Sequence, residues 1–99
     1  MDIERFESSI ANAKPPAGVP PLLKALWHDA RGEWARAHEI VQGEKGREAA
    51  AVHAYLHRKE GDLGNADYWY GRASASRPGT ALTAEWRELA VRLLGRDSA

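Results

Sequence analysis

Two segments of this 99-residue chain match one another without gaps at an offset of 29 residues. In each segment a histidine lies four residues before a glycine, a large apolar residue lies two after it and an alanine lies five after it. The equivalent pairs are His28 and His57, Gly32 and Gly61, Trp34 and Leu63, and Ala37 and Ala66. This pattern is typical of a helix, a tight glycine turn and a second helix whose alanine permits close approach to the first. The sequence therefore predicts two helical hairpins.

Apolar residues recur at helical spacing through the rest of the chain, and no segment shows the alternation of a β-strand. Four prolines between Lys14 and Pro21 remove amide donors and predict a stiff connector. The expected elements are an N-terminal helix at 1–13, the connector at 14–21, hairpin 1 at 22–43, hairpin 2 at 47–77 and a C-terminal helix at 80–95, closed by Gly95. We therefore expect one all-α domain spanning 1–99, with about six helices and with its terminal helices capping the stacked hairpins.

Nine positions of the second hairpin carry small, aromatic, turn-forming, acidic, apolar and proline residues at a fixed spacing: Ala54, His57, Gly61, Asp62, Leu63, Ala66, Tyr70, Ala73 and Pro78. At these positions the hairpin resembles the tetratricopeptide repeat. The first hairpin departs from the family, with Glu44 at a small position and Ala49 at the proline position. The resemblance implies a right-handed stack of antiparallel hairpins whose concave groove receives a peptide of a partner protein. The segment from Val52 to Tyr70 also resembles short uncharacterised bacterial proteins, which indicates a bacterial origin and implies no activity.

Charge and composition exclude several classes of partner. The chain has 14 basic and 14 acidic residues, so no net field attracts nucleic acid or an acidic membrane surface. No apolar run approaches the roughly 18 residues that span a bilayer. The absence of cysteine excludes disulfides and thiolate metal sites. Acidic residues near Met1 do not fit a secretion signal, so we expect a cytoplasmic protein with neither nucleic acid nor membrane as partner.

The preferred function is a non-catalytic interaction domain for a protein, a peptide or a second copy of the chain. No nucleophile motif and no phosphate-binding glycine loop is present, which is why no enzyme is expected. The register of the repeat directs Tyr55 and Arg58 toward the groove. Arg58, Lys59 and Arg47 form a basic patch on which a peptide carboxylate could dock, although such a mixed surface is more often only solvated.

Histidines suggest an alternative function as a small-ligand or metal-binding domain. His53 and His57 lie four residues apart and present two imidazoles on one helix face. His28 holds the same register position as His57 and could add a third ligand. The competing interpretation, which we prefer, is that His28 and His57 pack between helices, and we accordingly expect no resident metal or cofactor. His38 is assigned to the surface or boundary.

Tyr68, Trp69 and Tyr70 are consecutive, so their side chains project in directions spread nearly all round the helix. At least one of the three rings should therefore face solvent or a pocket. Either Tyr68 or Trp69 could form an aromatic wall beside the histidines of the alternative site. The chain also has four tryptophans, and most of them are expected in the core.

Overall fold

The computed structural model describes residues 1–97, and Ser98 and Ala99 of the predicted domain lie outside this range. Within it the chain is all-helical, with six α-helices and no strand, which confirms the predicted fold class. The helices are α1 (Ile3–Ser9), α2 (Pro21–Ala30), α3 (Trp34–Gln42), α4 (Arg47–Glu60), α5 (Leu63–Arg72) and α6 (Leu82–Asp97).

The best-defined helix boundaries are those where the sequence offers a specific stop or start. Pro21 occupies the first turn of α2, where its missing amide is not needed. Gly61 follows α4 with a φ of +89°, and its amide bonds back to the carbonyl of Arg58. Because only glycine adopts this left-handed geometry without strain, α4 ends where predicted.

Three helices end elsewhere than predicted. α1 stops at Ser9, whose hydroxyl donates to the carbonyl of Phe6, and the chain continues in tighter turns through Asn12. α5 stops at Arg72, because Ser74 adopts a φ of +58° and the amide of Ala75 bonds to the carbonyl of Tyr70, closing the helix as a Schellman motif does. α6 runs through Gly95 to Asp97, since one glycine costs a packed helix only about 1 kcal/mol.

The helices pair as two hairpins, α2 with α3 and α4 with α5, and the hairpins meet where α4 packs against α2 and α3. The surface that α2 and α4 form together, here called the α2–α4 face, is covered by α6, and α1 packs on α6 in turn. Trp86 of α6 donates its indole N–H to the carbonyl of Leu26, 2.9 Å away, and its ring stacks on that of Phe6. The terminal helices thus cover the first helices of both hairpins.

The core lies between α6 and the α2–α4 face. Its members include these fully or almost fully buried side chains: Phe6, Leu23, Leu26, Trp27, Val41, Val52 and Leu56. Within the described range every buried side-chain nitrogen and oxygen has a hydrogen-bond partner. No helix among residues 1–97 is both long and apolar enough to cross a bilayer.

Candidate functional site

The face on which the peptide groove was expected is closed. Tyr55 is 2 % exposed and belongs to the same core cluster as Trp86. Its hydroxyl donates to Oδ2 of Asp29 over 2.8 Å, and burial, together with that neighbouring carboxylate, raises the pKa of Tyr55. Tyr55 therefore does not line an open groove, because α6 occupies the face toward which the residue points.

Two of the three residues of the predicted basic patch, Arg58 and Lys59, pair with two different buried carboxylates, whereas Arg47 does not. Arg58 pairs with Glu85 of α6 at 2.8 Å and also donates to the carbonyl of Thr80. Lys59 pairs at 2.9 Å with Asp29, which is 1 % exposed. Both cations are thus used to neutralise acids inside the fold, and neither is free to receive a peptide carboxylate on this face.

Three histidines converge on the opposite side of α4. His53 and His57 of α4 meet His38 of α3, and one ligand nitrogen from each lies within 4.8 Å of the others. Nε2 of His38 is 3.2 Å from Nε2 of His53. We call these three residues the histidine cluster. His53 and His57 are only 7 % and 6 % exposed, whereas His38 is half-buried.

His28 is not a member of the cluster, contrary to the predicted alternative site. Its Nδ1 lies 2.8 Å from a carboxylate oxygen of Glu33, and its ring meets that of Trp27 edge to face. The predicted proximity of His53 and His57 is found, but the third imidazole comes from His38. The sequence feature that could have indicated His38 is its four-residue spacing from Trp34, which places the two side chains one turn apart on α3.

Two tryptophans hold the cluster in place. The ring of Trp34 stacks on His38 with 4.8 Å between centroids, and the ring of Trp69 stacks on His53 at 3.9 Å. The indole N–H of Trp34 donates to the carbonyl of Leu56 over 2.7 Å, which fixes α3 against α4. The imidazoles therefore lie in a largely pre-formed aromatic setting contributed by three helices.

Two of the three imidazoles favour the neutral form. Burial, together with the nearby His57 and His38 as competing positive charges, lowers the pKa of His53 to about 4. Burial also lowers the pKa of His38, with His57 adding to the effect. At neutral pH both rings are therefore uncharged, so the 3.2 Å contact between their Nε2 atoms is an N–H donating to a lone pair.

Beside the cluster lies an open cleft of about 600 Å³, here called the α3–α5 cleft. It is lined by the end of α3, the following loop, the first half of α4 and α5, through these residues: Val41, Gln42, Glu44, Lys45, Gly46, Arg47, Ala49, Ala50, His53, Trp69 and Arg72. Trp69, one of the two residues expected to form an aromatic wall, lies in this lining and stacks on His53. The exposed Tyr68 is not part of the lining and instead contacts Arg72.

Comparison of the chain with protein-family models, with curated proteins and with solved structures finds no match in any of the three.

Proposed function

We propose that this chain is a non-catalytic helical interaction domain that binds a short acidic segment of a partner protein in the α3–α5 cleft. The charge of the cleft is the observation that carries the proposal. Lys45, Arg47 and Arg72 contribute three cations against the single carboxylate of Glu44. Within residues 1–97, Lys45 and Arg47 form no ion pair.

The shape of the cleft fits a peptide better than it fits an enclosed metabolite. Its volume of about 600 Å³ lies within the usual range of ligand sites, but it is open to solvent on one side. Val41, Ala49 and Ala50 give it an apolar floor, and Trp69 gives it a flat aromatic wall. A segment with one apolar side chain flanked by carboxylates would use both the floor and the cations.

This proposal keeps the function predicted from the tetratricopeptide-like hairpins and moves it to another surface. The α2–α4 face is occupied by α6, so the peptide is assigned to the side of the hairpins that remains open. A cytoplasmic setting, as expected from the N-terminal residues, is part of the proposal. Association with a second copy of the chain stays a prediction.

Selection from a random peptide library tests the proposal directly. We expect the selected peptides to be rich in Asp and Glu, and their affinity to fall as salt is raised, because exposed charges are screened. The double variant Lys45→Glu and Arg47→Glu should abolish binding. Arg47 is the first residue of α4, where an acidic side chain suits the helix dipole, so this variant should remain folded.

The double variant Arg5→Glu and Lys14→Glu is the matched control, because it makes the same two charge reversals on exposed residues outside the cleft. It should leave peptide affinity unchanged. Selection of basic or uncharged peptides, or equal binding by the Lys45→Glu, Arg47→Glu protein, would refute the assignment of the cleft.

A further inference from the structure

The histidine cluster has the spacing of a metal site. In a tetrahedral site with metal–nitrogen bonds of about 2.0–2.1 Å, neighbouring ligand nitrogens lie about 3.3 Å apart. Nε2 of His38 and Nε2 of His53 are 3.2 Å apart, so this pair already has the required separation. One ligand nitrogen from each of the three residues lies within 4.8 Å of the others, so no pair exceeds the tetrahedral separation by more than about 1.5 Å.

We propose that His38, His53 and His57 bind one divalent transition-metal ion of the zinc class. Three imidazole nitrogens suit Zn²⁺, Ni²⁺ and Cu²⁺, whereas Mg²⁺ and Ca²⁺ require oxygen ligands. This site goes beyond the proposed peptide function and does not depend on it, because its ligands come from inside the helix packing and not from the cations of the cleft.

A carboxylate lies behind one of the three ligands. Oε2 of Glu60 is 3.2 Å from Nδ1 of His57. In metal sites a carboxylate commonly accepts the N–H of a ligating histidine, which fixes the tautomer and leaves the other nitrogen for the metal. Glu60 therefore acts as a positioning residue that leaves Nε2 of His57 as the nitrogen free to bind the ion.

Two of the three rings are restrained before any ion binds. Imidazole binds a metal through the lone pair of a ring nitrogen, so the proton between Nε2 of His38 and Nε2 of His53 has to move to Nδ1 of its own ring when the ion binds. The stacking of Trp34 and Trp69 restricts two of the rings before any ion arrives, which reduces the ordering that binding would demand.

Three protein ligands leave one position of a tetrahedral ion unfilled. His53 belongs both to the cluster and to the lining of the α3–α5 cleft, so cluster and cleft are contiguous. The fourth ligand can accordingly be water or a donor atom of a molecule in the cleft. The cations at Lys45 and Arg47 would favour an anionic one.

The test is a titration of tag-free, metal-stripped full-length protein with Zn²⁺ at pH 7.5, followed by calorimetry with a competing chelator. We expect one ion per chain. His38→Phe keeps a ring stacked on Trp34 but removes the ligand nitrogen, and it should weaken zinc binding by more than about 100-fold, because loss of a mere supporting residue already costs 10- to 100-fold. Glu60→Gln should weaken zinc binding by about 10- to 100-fold.

His28→Ala is the matched control, because it removes a histidine outside the cluster and should leave zinc affinity unchanged. In NMR spectra of the wild type, zinc should shift the imidazole nitrogens of the three cluster histidines and not those of His28. The proposal is overturned if the wild type takes up no stoichiometric zinc, or if the folded His38→Phe protein binds zinc as tightly as the wild type. It is also overturned if Asp62→Asn abolishes zinc binding while His38→Phe does not. Asp62 belongs, with His57 and Glu60, to a second set of possible metal ligands, and this result would place the ion there.

Discussion

Arg58 joins α4 to α6 through a largely buried ion pair, and its removal tests whether α6 covers the α2–α4 face. The side chains of Arg58 and Glu85 are 15 % and 8 % exposed. Arg58→Ala leaves the carboxylate of Glu85 without its counter-ion, and breaking such a buried pair typically costs about 3–5 kcal/mol. Glu85 retains the hydroxyl of Tyr70, 2.6 Å away, so we expect the lower end, about 3 kcal/mol.

The assay is urea denaturation and thermal unfolding at pH 7, followed by circular dichroism. In a domain of this size a loss of about 3 kcal/mol lowers Tm by roughly 12–24 °C. Introducing Glu85→Gln together with Arg58→Ala removes the unpaired charge and keeps an acceptor for Tyr70. The cost of Arg58→Ala measured in the Glu85→Gln background should then fall to about 1 kcal/mol, which gives a coupling energy of about 2 kcal/mol.

Arg92→Ala is the matched control on α6. Arg92 pairs with Glu88 one turn away on the same helix, and both side chains are exposed. An exposed pair of this kind contributes less than about 0.5 kcal/mol. If Arg58→Ala costs no more than Arg92→Ala, α6 does not seal the α2–α4 face, and a peptide groove on that face becomes the better interpretation.

Two further predictions concern acid stability and glycine positions. The metal-free protein should lose about 3 kcal/mol of unfolding free energy as pH falls from 6.5 to about 4, because the unfolded chain takes up the proton that folded His53 excludes, with no such loss above pH 7. His53→Phe should flatten the curve of unfolding free energy against pH in this range, and an NMR-measured pKa of His53 near 6.5 would contradict the reasoning. Gly61→Ala should destabilise by about 1–2 kcal/mol in thermal unfolding, because its φ is +89°, whereas Gly64→Ala, inside α5 with nothing near its added Cβ, should stabilise by about 0.5–1 kcal/mol; equal effects would contradict the left-handed cap.

Much of the fold could be predicted because its boundaries depend on local chemistry. The bounds of α4 follow from an alanine-rich segment between Gly46 and Gly61, both of which adopt positive φ. The position of α6 could not be predicted in the same way. Its apolar stripe indicates burial but does not identify the surface that it buries. That surface is selected by contacts between distant residues, such as the bond from Trp86 to the carbonyl of Leu26.

The histidine site was only partly predictable for a related reason. The spacing of His53 and His57 within one helix fixes their proximity, and the structure has it. His28 and His57 are equivalent in the repeat, but equivalent positions of neighbouring hairpins are separated by the distance between packed helices, about 8–10 Å. His28 instead contacts Glu33 and His57 contacts Glu60, and both carboxylates are close to their histidine in the sequence. His38 reaches the cluster through the packing of α3 on α4, which the register of the repeat does not describe.

The central helix α4 carries its histidines on one side and the residues that join it to α2 and α6 on the opposite side. At 100° per residue, His53 and His57 lie about 40° apart, whereas Tyr55 and Arg58 lie roughly 100–160° away from that pair. The second pair joins α4 to Asp29 and Glu85 and closes the fold. The imidazoles face α3 and α5, where apolar rings would fill the same space without the desolvation that lowers the pKa of His53. Desolvation of the imidazoles therefore costs stability that the ion pairs on the other side of α4 do not require. A ligand site would account for this cost, and this favours binding over packing as the role of the cluster.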